Sequence, residues 1–316
     1  MSSSPFSSFI LDHPSPYPFY VFAGPCSAET EEQTLETARA LRAGGICFFR
    51  ASLWKPRTRP GSFEGVGEQG LPWLVRVKEE LGMQVATEIA SPQHAEVALK
   101  AGLDTFWIGA RTTASPFAVS ELAEALAGTD TRILVKNPLN PDIDLWEGAL
   151  LRLQQVGVKS IGAIHRGFST YAPGAYRNAP LWQLPIELQR RHPDLTIFVD
   201  PSHMAGRREL VPLLCQVGLE MNFAGLMVET HPTPSMAWSD AAQQLTPKEL
   251  LSLLDRLQLH PSTTSEEERL LPLRSQIDEL DRELLTLLAR RMALSREIGQ
   301  VKAAAHLPIV QPERYR

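Results

Sequence analysis

The stretch MQVATEIASPQHAEVALKAGLDTFWI, residues 83–108, contains one complete strand–helix–strand unit. Apolar and β-branched residues at 83–88 and 105–108 predict two strands, and SPQHAEVALKAG between them has the spacing of an amphipathic helix. A helical crossover of this length joins parallel strands. The unit therefore indicates an α/β fold with a parallel sheet.

The same pattern recurs along residues 19–230. Predicted strands lie at 19–23, 46–50, 83–88, 105–108, 132–136, 160–164, 195–199 and 225–229. Repeated alternation of strand and helix predicts a closed (β/α)8 barrel, the TIM barrel, which takes about 250 residues. An open doubly wound sheet is also parallel, but it collects functional residues at one switch point rather than around a ring.

Polar side chains follow the predicted strands, and in such a barrel the loops after the strands form the functional face. These strand ends supply Cys26, Arg50, Lys55, Pro56, Arg57, Thr58, Glu88, Arg111, Lys136, His165, Arg166, Asp200, His203, Glu229 and His231. We therefore expect a site in the mouth of the barrel.

Four of the residues near strands one, seven and eight are good metal ligands: Cys26, His203, Glu229 and Asp240. Those strands become neighbours when the barrel closes. A thiol, an imidazole and two carboxylates suit Mn²⁺, Fe²⁺, Co²⁺ or Zn²⁺ better than Mg²⁺. Taken singly, Cys26 also fits a small buried apolar residue, as we expect for Cys47 and Cys215. The convergence favours one divalent metal.

Six basic residues lie at strand ends or in early loops: Arg50, Lys55, Arg57, Arg111, Lys136 and Arg166. Arginine binds phosphate or carboxylate through two parallel hydrogen bonds, and lysine adds a compact positive charge. Solvated loop charges are the alternative, but a shared cleft favours substrates with several anionic groups. The chain has no GxxxxGK[ST] loop, so we expect no nucleotide cofactor.

Several segments resemble 3-deoxy-D-arabino-heptulosonate 7-phosphate (DAHP) synthases, the first enzymes of the shikimate pathway, in order over about residues 19–250. They are AGPCSAE (23–29), KPRT (55–58), ATEI (86–89), IGAR (108–111), LVKNP (134–138), HRGF (165–168), VDPSH (199–203) and VETHPTP…SDAAQQL (228–245). The short barrel resembles the subfamily that also contains 3-deoxy-manno-octulosonate 8-phosphate synthase.

The resemblance implies a reaction and residue roles. Phosphoenolpyruvate would condense with erythrose 4-phosphate and water, giving DAHP and phosphate for aromatic amino-acid biosynthesis. The metal ligands would be Cys26, His203, Glu229 and Asp240. Phosphoenolpyruvate would bind Arg50, Lys55, Arg111, Lys136 and Arg166, and erythrose 4-phosphate would bind Lys55, Pro56, Arg57 and Thr58. Lys55 would donate or shuttle a proton, and Glu88 is a second catalytic candidate.

Two sequence differences bear on these roles. The octulosonate synthases have Lys-Ala-Asn-Arg where this chain has Lys-Pro-Arg-Thr at 55–58, so we favour the four-carbon aldose phosphate over arabinose 5-phosphate. The family often has Cys-Glu-Arg-Gly where this chain has Ile-His-Arg-Gly at 164–167, so no acidic role passes to His165. The alternatives are an octulosonate synthase and a non-catalytic regulatory or scaffold protein.

A second unit follows the barrel. PSTTSEEE at 261–268 indicates a linker that leads into a helix, and apolar residues from Leu273 to Met292 recur at steps of three and four. We predict a barrel at 1–258, a linker at 259–269 and a module at 270–316. A continuous helix over 273–298 would be about 40 Å long. A dimerising coiled coil is the alternative.

RSQIDELDRELLTLLARRMALSREIGQVK, residues 274–302, resembles the first helix of the all-helical chorismate mutases. The resemblance implies contacts of chorismate or prephenate with Arg274, Arg291, Lys302 and Arg314, although Gln311 and Tyr315 stand where acidic residues are common. We expect the module to be incomplete in this chain, with mutase activity only in a longer parent protein. We also expect prephenate or chorismate to act as an allosteric effector.

Composition limits the remaining classes. A net charge of −5 argues against a nucleic-acid surface. Three cysteines do not suggest a disulfide framework, and no apolar run approaches the ~18 residues of a membrane span. We expect a cytoplasmic enzyme that forms a homo-oligomer.

Overall fold

The computed structural model describes residues 6, 9, 16–57, 61–171, 174–259 and 264–309, with side chains in the last range from residue 269. The chain divides into two compact units, Met1–Leu259 and His260–Arg316. The first unit carries all of the strands described below.

Eight parallel strands close into a barrel in the order β1 to β8, so the predicted fold is confirmed. The strands are β1 (Tyr20–Gly24), β2 (Phe48–Arg50), β3 (Gln84–Ile89), β4 (Thr105–Ile108), β5 (Arg132–Lys136), β6 (Ser160–His165), β7 (Thr196–Val199) and β8 (Gly225–Glu229). β1 closes the ring by pairing with β8, where Gly24 lies opposite Glu229. The ends of β1, β7 and β8 are thereby adjacent, as the metal hypothesis requires.

Helices surround the strands. They are α1 (Glu31–Ala43), α2 (Leu71–Leu81), α3 (Pro92–Lys100), α4 (Ala110–Thr113), α5 (Pro116–Leu126), α6 (Ile143–Gln155), α7 (Gln183–Arg191), α8 (Pro201–Ala205), α9 (Val211–Glu220) and α10 (Pro247–Leu254). Side-chain caps begin several of them: Thr30 accepts from Gln33 N at the start of α1, and Asp142 accepts from Leu145 N at the start of α6.

The inside of the barrel is a separate apolar layer. It takes one buried residue from each strand: Phe22, Phe48, Ala86, Trp107, Leu134, Ile164, Phe198 and Met227. Phe9 joins this layer, packs edge-to-face on Phe198 at 5.9 Å, and donates its backbone N–H to Thr196 Oγ1 at 3.1 Å. Because Thr196 begins β7, Phe9 packs at the end of the barrel opposite the mouth.

The second unit contains one long helix, α11 (Thr264–Ala304), of 41 residues. It begins inside the stretch predicted as a linker and continues through Pro272. Proline removes one backbone hydrogen bond, but the surrounding Glu and Arg residues have high helix propensity and extend the helix to either side. At 1.5 Å per residue the helix is about 62 Å long, against about 40 Å expected for 273–298 alone.

Candidate active site

Strand geometry places the site directly above the apolar layer. Side chains alternate across a strand, so the residue two positions beyond each interior residue also faces inward, at the mouth. Those residues are Gly24, Arg50, Glu88, Gly109, Lys136, Arg166, Asp200 and Glu229. Two are glycines, and at Gly109 a Cβ would lie 2.0 Å from Glu88 Oε1. The mouth is therefore lined by charged groups on a hydrophobic floor.

Three of the four predicted metal ligands converge. One donor atom each from Cys26, Glu229 and Asp240 lies within 4.8 Å of the others. Cys26 Sγ is 3.2 Å from Asp240 Oδ2. The fourth, His203, has Nε2 at 3.7 Å from Glu229 Oε1. A thiol, an imidazole and two carboxylates at this spacing fit a divalent transition metal.

The carboxylates in this cluster are held ionised. Burial alone would raise the pKa of Glu229, but the neighbouring His203 and Arg50 hold its pKa at about 2. The Arg50 guanidinium donates to Glu229 Oε1 at 2.8 Å, and both side chains are almost fully buried. Burial also opposes ionisation of Asp240, and His203, Arg177 and Lys55 hold its pKa well below the usual range. Both groups are therefore ready to ligate a cation.

Cys26 is distinct from the other two cysteines. Its Sγ lies 2.6 Å from Lys55 Nζ, which also donates to the Cys26 carbonyl at 3.1 Å. Burial raises the pKa of the Cys26 thiol, and Glu229 raises it further. Cys215 is buried in the apolar layer of the helices, and Cys47 is half-buried and contacts Arg42.

Lys55 stays positively charged. Burial lowers its pKa, but Cys26, Glu229 and Asp240 outweigh that effect, so the pKa is raised rather than lowered. Lys55 is therefore protonated near neutral pH, so it can donate a hydrogen bond or a proton but has no lone pair with which to act as a base.

Asp200 links two predicted site residues. Its Oδ2 accepts from Lys136 Nζ at 2.7 Å and lies 2.8 Å from His203 Nδ1. Its Oδ1 accepts the His203 backbone N–H at 3.1 Å and so caps α8. A carboxylate beside Nδ1 of a metal-ligating histidine orients the ring and leaves Nε2 for the metal.

A pocket with about 550 Å³ of empty space opens beside this cluster. Its walls bring together the predicted residues Lys55, Pro56, Arg57, Glu88, Arg111, Lys136, Arg166, His203 and Asp240, with Gly109, Ala110 and Arg177. Of the predicted cations, Arg50 does not line the pocket and is instead buried against Glu229. Thr58 falls outside the described residues.

Trp107 belongs to the buried apolar layer inside the barrel and contacts three of the charged side chains at the mouth. The Arg50 guanidinium carbon lies 4.7 Å and Lys136 Nζ 5.7 Å from its ring centroid. Its Nε1–H donates to Glu88 Oε2 at 3.2 Å. The indole ring of Trp107 attracts the two cations, and its N–H holds the Glu88 carboxylate. Trp107 therefore helps to fix three charged side chains.

Arg166 is held by two asparagines. Its backbone N–H donates to Asn137 Oδ1 at 2.7 Å, and its Nη1 donates to Asn178 Oδ1 at 2.7 Å. Burial lowers the pKa of Arg166 to about 10, which leaves it protonated near neutral pH. Asn137 belongs to the LVKNP motif, whereas Asn178 carried no motif signal.

The loop after β2 is fixed by local contacts. Lys55 N donates to Glu64 O at 2.8 Å and Arg57 Nε to Phe63 O at 2.7 Å. The ring of Trp54 stacks on His94 at 4.3 Å. These contacts hold the described part of the Lys-Pro-Arg-Thr motif at the pocket.

His165 lies outside the pocket. Its ring packs in the helix layer, 5.2 Å from Trp182, 5.6 Å from Phe168 and 6.2 Å from Trp146. Burial lowers the pKa of His165 to about 3, so the ring is neutral. Because neighbours on a strand face opposite sides, His165 points outward and Arg166 inward.

His231 supports the loop that carries Asp240. Its Nδ1 accepts the Thr233 N–H at 3.0 Å, and its Nε2 lies 3.4 Å from Glu29 Oε2. Glu29 Oε1 accepts the Trp238 N–H at 2.7 Å. The buried Glu29–His231 pair therefore ties the loop after β8 to the loop after β1.

Sequence reasoning missed two residues beside the ligands, Arg177 and Gln243. Arg177 Nη1 donates to Asp240 Oδ1 and to Gln243 Oε1, each at 2.9 Å, and Gln243 Nε2 donates to Glu229 Oε2 at 2.6 Å. Neither residue follows a strand directly. Arg177 lies in the long loop after β6, which has no periodic signal, and Gln243 belongs to the SDAAQQL segment that drew attention only for its aspartate.

The residues implied for chorismate or prephenate lie in the second unit. Arg274 and Arg291 are exposed on α11, and Lys302 Nζ donates to the Ile309 carbonyl at 3.0 Å. Arg314 falls outside the described residues.

Among the helices that the structure describes, none is long and apolar enough to cross a membrane.

Comparison with known proteins assigns the two units to different families. Residues 15–263 match the DAHP synthetase I family, and residues 273–316 match chorismate mutase type II. A phospho-2-dehydro-3-deoxyheptonate aldolase of Thermotoga maritima is 34% identical over 231 residues, which cover 72% of this chain and 65% of that protein. A 2-dehydro-3-deoxyphosphooctonate aldolase of Polaromonas naphthalenivorans is 32% identical, covering 76% of this chain and 89% of that protein.

Solved structures agree. A crystal structure of DAHP synthase from Thermotoga maritima superposes with a TM-score of 0.68 at 30% identity, over 76% of this chain and 68% of that one. A truncated form of the Thermotoga enzyme gives a TM-score of 0.67 at 28% identity, over 79% and 90%. With its barrel motifs, fold and family match in agreement, the chain belongs to the DAHP synthetase I family.

Proposed function

We propose that this chain is a metal-dependent DAHP synthase that condenses phosphoenolpyruvate with erythrose 4-phosphate and water. The observation that carries the proposal is the pocket of cations beside the Cys26, Glu229 and Asp240 cluster. Two phosphates and one carboxylate must be held in this reaction, and a ring of arginine and lysine side chains suits them. The named Thermotoga relative supports the same activity.

The metal is proposed to be held by Cys26, His203, Glu229 and Asp240. Bound there, a divalent ion supplies Lewis acidity toward a carbonyl oxygen. Mn²⁺, Fe²⁺, Co²⁺ and Zn²⁺ all fit a donor set that includes a thiol.

The remaining steps fall to the protein's own side chains. Arg166, Arg111 and Lys136, which line the pocket, would hold phosphoenolpyruvate, and Arg57 would hold the aldose phosphate. A C–C bond forms between the enol carbon and the aldehyde carbon, water adds at the carbon that carried the enol phosphate, and phosphate leaves. The new hydroxyl needs a proton, and we propose that the Lys55 ammonium, which lines the pocket beside Cys26, donates it.

A direct assay tests the activity and the choice of sugar. The purified chain with Mn²⁺ and phosphoenolpyruvate should release phosphate when erythrose 4-phosphate is added and not when arabinose 5-phosphate is added. Preference for arabinose 5-phosphate would instead identify an octulosonate synthase, the class named by the Polaromonas relative. No release with either sugar would favour a regulatory or scaffold protein.

We further propose that residues 270–316 act as a regulatory module of the chorismate mutase type, on a cytoplasmic homo-oligomer. The match at residues 273–316 supports the module. A single helix has no concave apolar interior, so little or no mutase turnover is expected from residues 1–316. A regulatory module of this type should make prephenate weaken the binding of the synthase substrates by about 5- to 150-fold, the range of a typical allosteric coupling. Mutase and synthase assays with added prephenate test both points.

A further inference from the structure

Gln243 and Arg177 form a bridge between two of the proposed metal ligands. The bridge runs from Glu229 Oε2 to Gln243 Nε2 (2.6 Å), from Gln243 Oε1 to Arg177 Nη1 (2.9 Å), and from Arg177 Nη1 to Asp240 Oδ1 (2.9 Å). Glu229 lies at the end of β8, whereas Asp240 lies in the following loop. The bridge therefore connects a strand end to a loop.

We propose that Gln243, supported by Arg177, is a positioning residue that fixes how the Glu229 and Asp240 carboxylates face the metal. The inference rests on the proposed metal-dependent function. It adds a specific element to that function, because without Gln243 the Glu229 carboxylate would lose the donor to its Oε2 and its link to Asp240.

The backbone around Gln243 is well suited to this task. Leu245 N donates to the Glu229 carbonyl at 3.0 Å, and Gln243 N donates to the Asp240 carbonyl at 3.2 Å. Gln243 thus starts from a main chain already tied to both ligands. Its side chain is buried, so its amide hydrogen bonds have no competition from bulk water.

An amide suits this position for a chemical reason. Glu229 is an ionised acceptor and Arg177 is a donor, so the group between them must donate on one side and accept on the other. A carboxamide does this with one planar group that stays neutral at every pH, unlike an imidazole, and Asn is one methylene shorter than Gln. Gln243 also holds Glu229 Oε2, while Arg50 holds Oε1, which fixes the rotation of the carboxylate.

Arg177 supports the bridge from a different part of the barrel. It lies in the loop after β6, and a Cβ at Gly206 would lie 2.4 Å from the Arg177 Cβ, so the two chain segments are in close contact. Asp240 has a left-handed backbone with φ of 50°, unusual for a residue other than glycine. Arg177 thus holds the side chain of a ligand whose backbone conformation is itself unfavourable.

Removal of the two residues should have different effects. Gln243 is neutral, so its loss removes orientation alone. Arg177 is a cation that also repels a divalent ion, so its loss weakens orientation and relieves repulsion at once. We therefore expect Gln243→Leu to weaken metal binding more than Arg177→Met does.

The test measures metal affinity with no substrate present. Co²⁺ is titrated into the purified, metal-depleted chain against a chromophoric chelator. Gln243→Leu should bind Co²⁺ about 10- to 100-fold more weakly than the unaltered chain, the usual effect of losing a hydrogen-bond partner of a metal ligand. Arg132→Met is the control, because it breaks an ion pair with Asp104 at the opposite end of the barrel. Its affinity should equal that of the unaltered chain.

The absorption spectrum of bound Co²⁺ separates positioning from loss of stability. Gln243→Leu and Arg177→Met should both change the d–d bands of the ion, and Arg132→Met should leave them unchanged. Unaltered affinity and spectrum in Gln243→Leu would overturn the inference and leave the metal-dependent function standing. If Gln243→Leu fails to fold by circular dichroism, an unaltered spectrum in Arg177→Met overturns it. Failure of the unaltered chain to bind any divalent ion would remove both proposals.

Discussion

The barrel mouth and the terminal helix distribute charge and apolar surface in opposite ways. At the mouth, Arg50 and Glu229 are 1% and 0% exposed, yet each has a charged partner at hydrogen-bond distance. On α11, Leu280 and Leu284 are 58% and 56% exposed. The mouth therefore buries charged side chains, which are normally exposed, and α11 exposes leucine side chains, which are normally buried.

The two regions differ in whether their own residues satisfy the unusual side chains. A buried charge needs a close partner, and the mouth supplies one from a neighbouring strand or loop. Exposed leucines need a covering surface, which a single helix cannot supply from its own residues. We infer that the mouth is built to bind small anions and a cation, whereas the helix is built to associate with another protein surface.

The largest effect is expected from removal of the metal, which should abolish the reaction at the mouth and leave α11 folded. Excess EDTA should abolish phosphate release, because the proposed ligands then hold no Lewis acid. The helical circular dichroism signal should remain, since α11 contains none of the proposed ligands. Full turnover in EDTA, with elemental analysis showing no metal, would contradict the metal-dependent function.

Within the mouth, Cys26→Ser should weaken metal binding at least tenfold, because a hydroxyl is a much poorer ligand than a thiolate for these ions. Cys215→Ser and Cys47→Ser are matched controls, since those residues lie away from the ligand cluster. Titration of metal-depleted protein measures all three. Equal losses would remove Cys26 from the ligand set.

The two substrates should depend on different arginines. Arg166→Ala should raise the Michaelis constant for phosphoenolpyruvate, and Arg57→Ala that for erythrose 4-phosphate. Each loses a charge-assisted hydrogen bond of about 1.5–3 kcal/mol, or roughly 10- to 150-fold in binding. Initial rates at varied concentrations of each substrate provide the measurement, and the reverse pattern would exchange the two assignments.

A smaller effect, on the pH dependence of stability, is expected from His165 on the outward face of β6. The pKa of His165 is lowered to about 3 by burial, against about 6.5 in an unfolded chain. The stability contributed by the neutral ring is therefore complete above pH 6.5 and declines as the pH falls toward 3. Relative to His165→Phe, the unaltered chain should lose up to about 1.4 kcal/mol per pH unit in that window.

Urea unfolding of both chains between pH 7 and pH 4 measures this difference. At pH 7 the phosphate-release rates should be similar, because His165 faces away from the pocket. A large loss of activity in His165→Phe with unchanged stability would instead place the residue in the mechanism.

The smallest effect on the synthase reaction is expected from the helix. Leu284→Ser should leave phosphate release unchanged and weaken self-association, since a buried leucine contributes about 1.5–3 kcal/mol. Thr286→Ser, also exposed on α11, is the control. Sedimentation velocity over a range of concentrations compares the three chains. Identical association in all three would show that this leucine does not lie in an interface.

The sequence alone determined the barrel and most of the residues at its mouth. Strand periodicity of two fixes which residues face inward, so Arg50, Lys136 and Glu229 could be assigned from the end of each apolar run. The closing order of the strands then brought Cys26 to the same place as Glu229. Local rules were enough because the relevant distances are set by strand pairing.

Local rules failed where a loop or a helix end was involved. α11 begins at Thr264, inside the segment predicted as a linker, because the polar run PSTTSEEE at 261–268 is typical of a linker that leads into a helix. The outward position of His165, in contrast, follows from the alternation of side chains along β6. The length of a helix depends on tertiary contacts and hydrogen bonds that the helix propensities of its residues do not describe.

Tertiary structure alone decided the contacts of Arg177, Asn178 and Gln243. Arg177 and Asn178 lie in the loop after β6, which has no period from which a direction can be read, and they reach the site only because that loop packs on the loops after β7 and β8. Sequence periodicity gives the direction of a side chain within a strand. The approach of one loop to another depends on the packing of the whole barrel, so these partners of the ligands could not be predicted from the sequence.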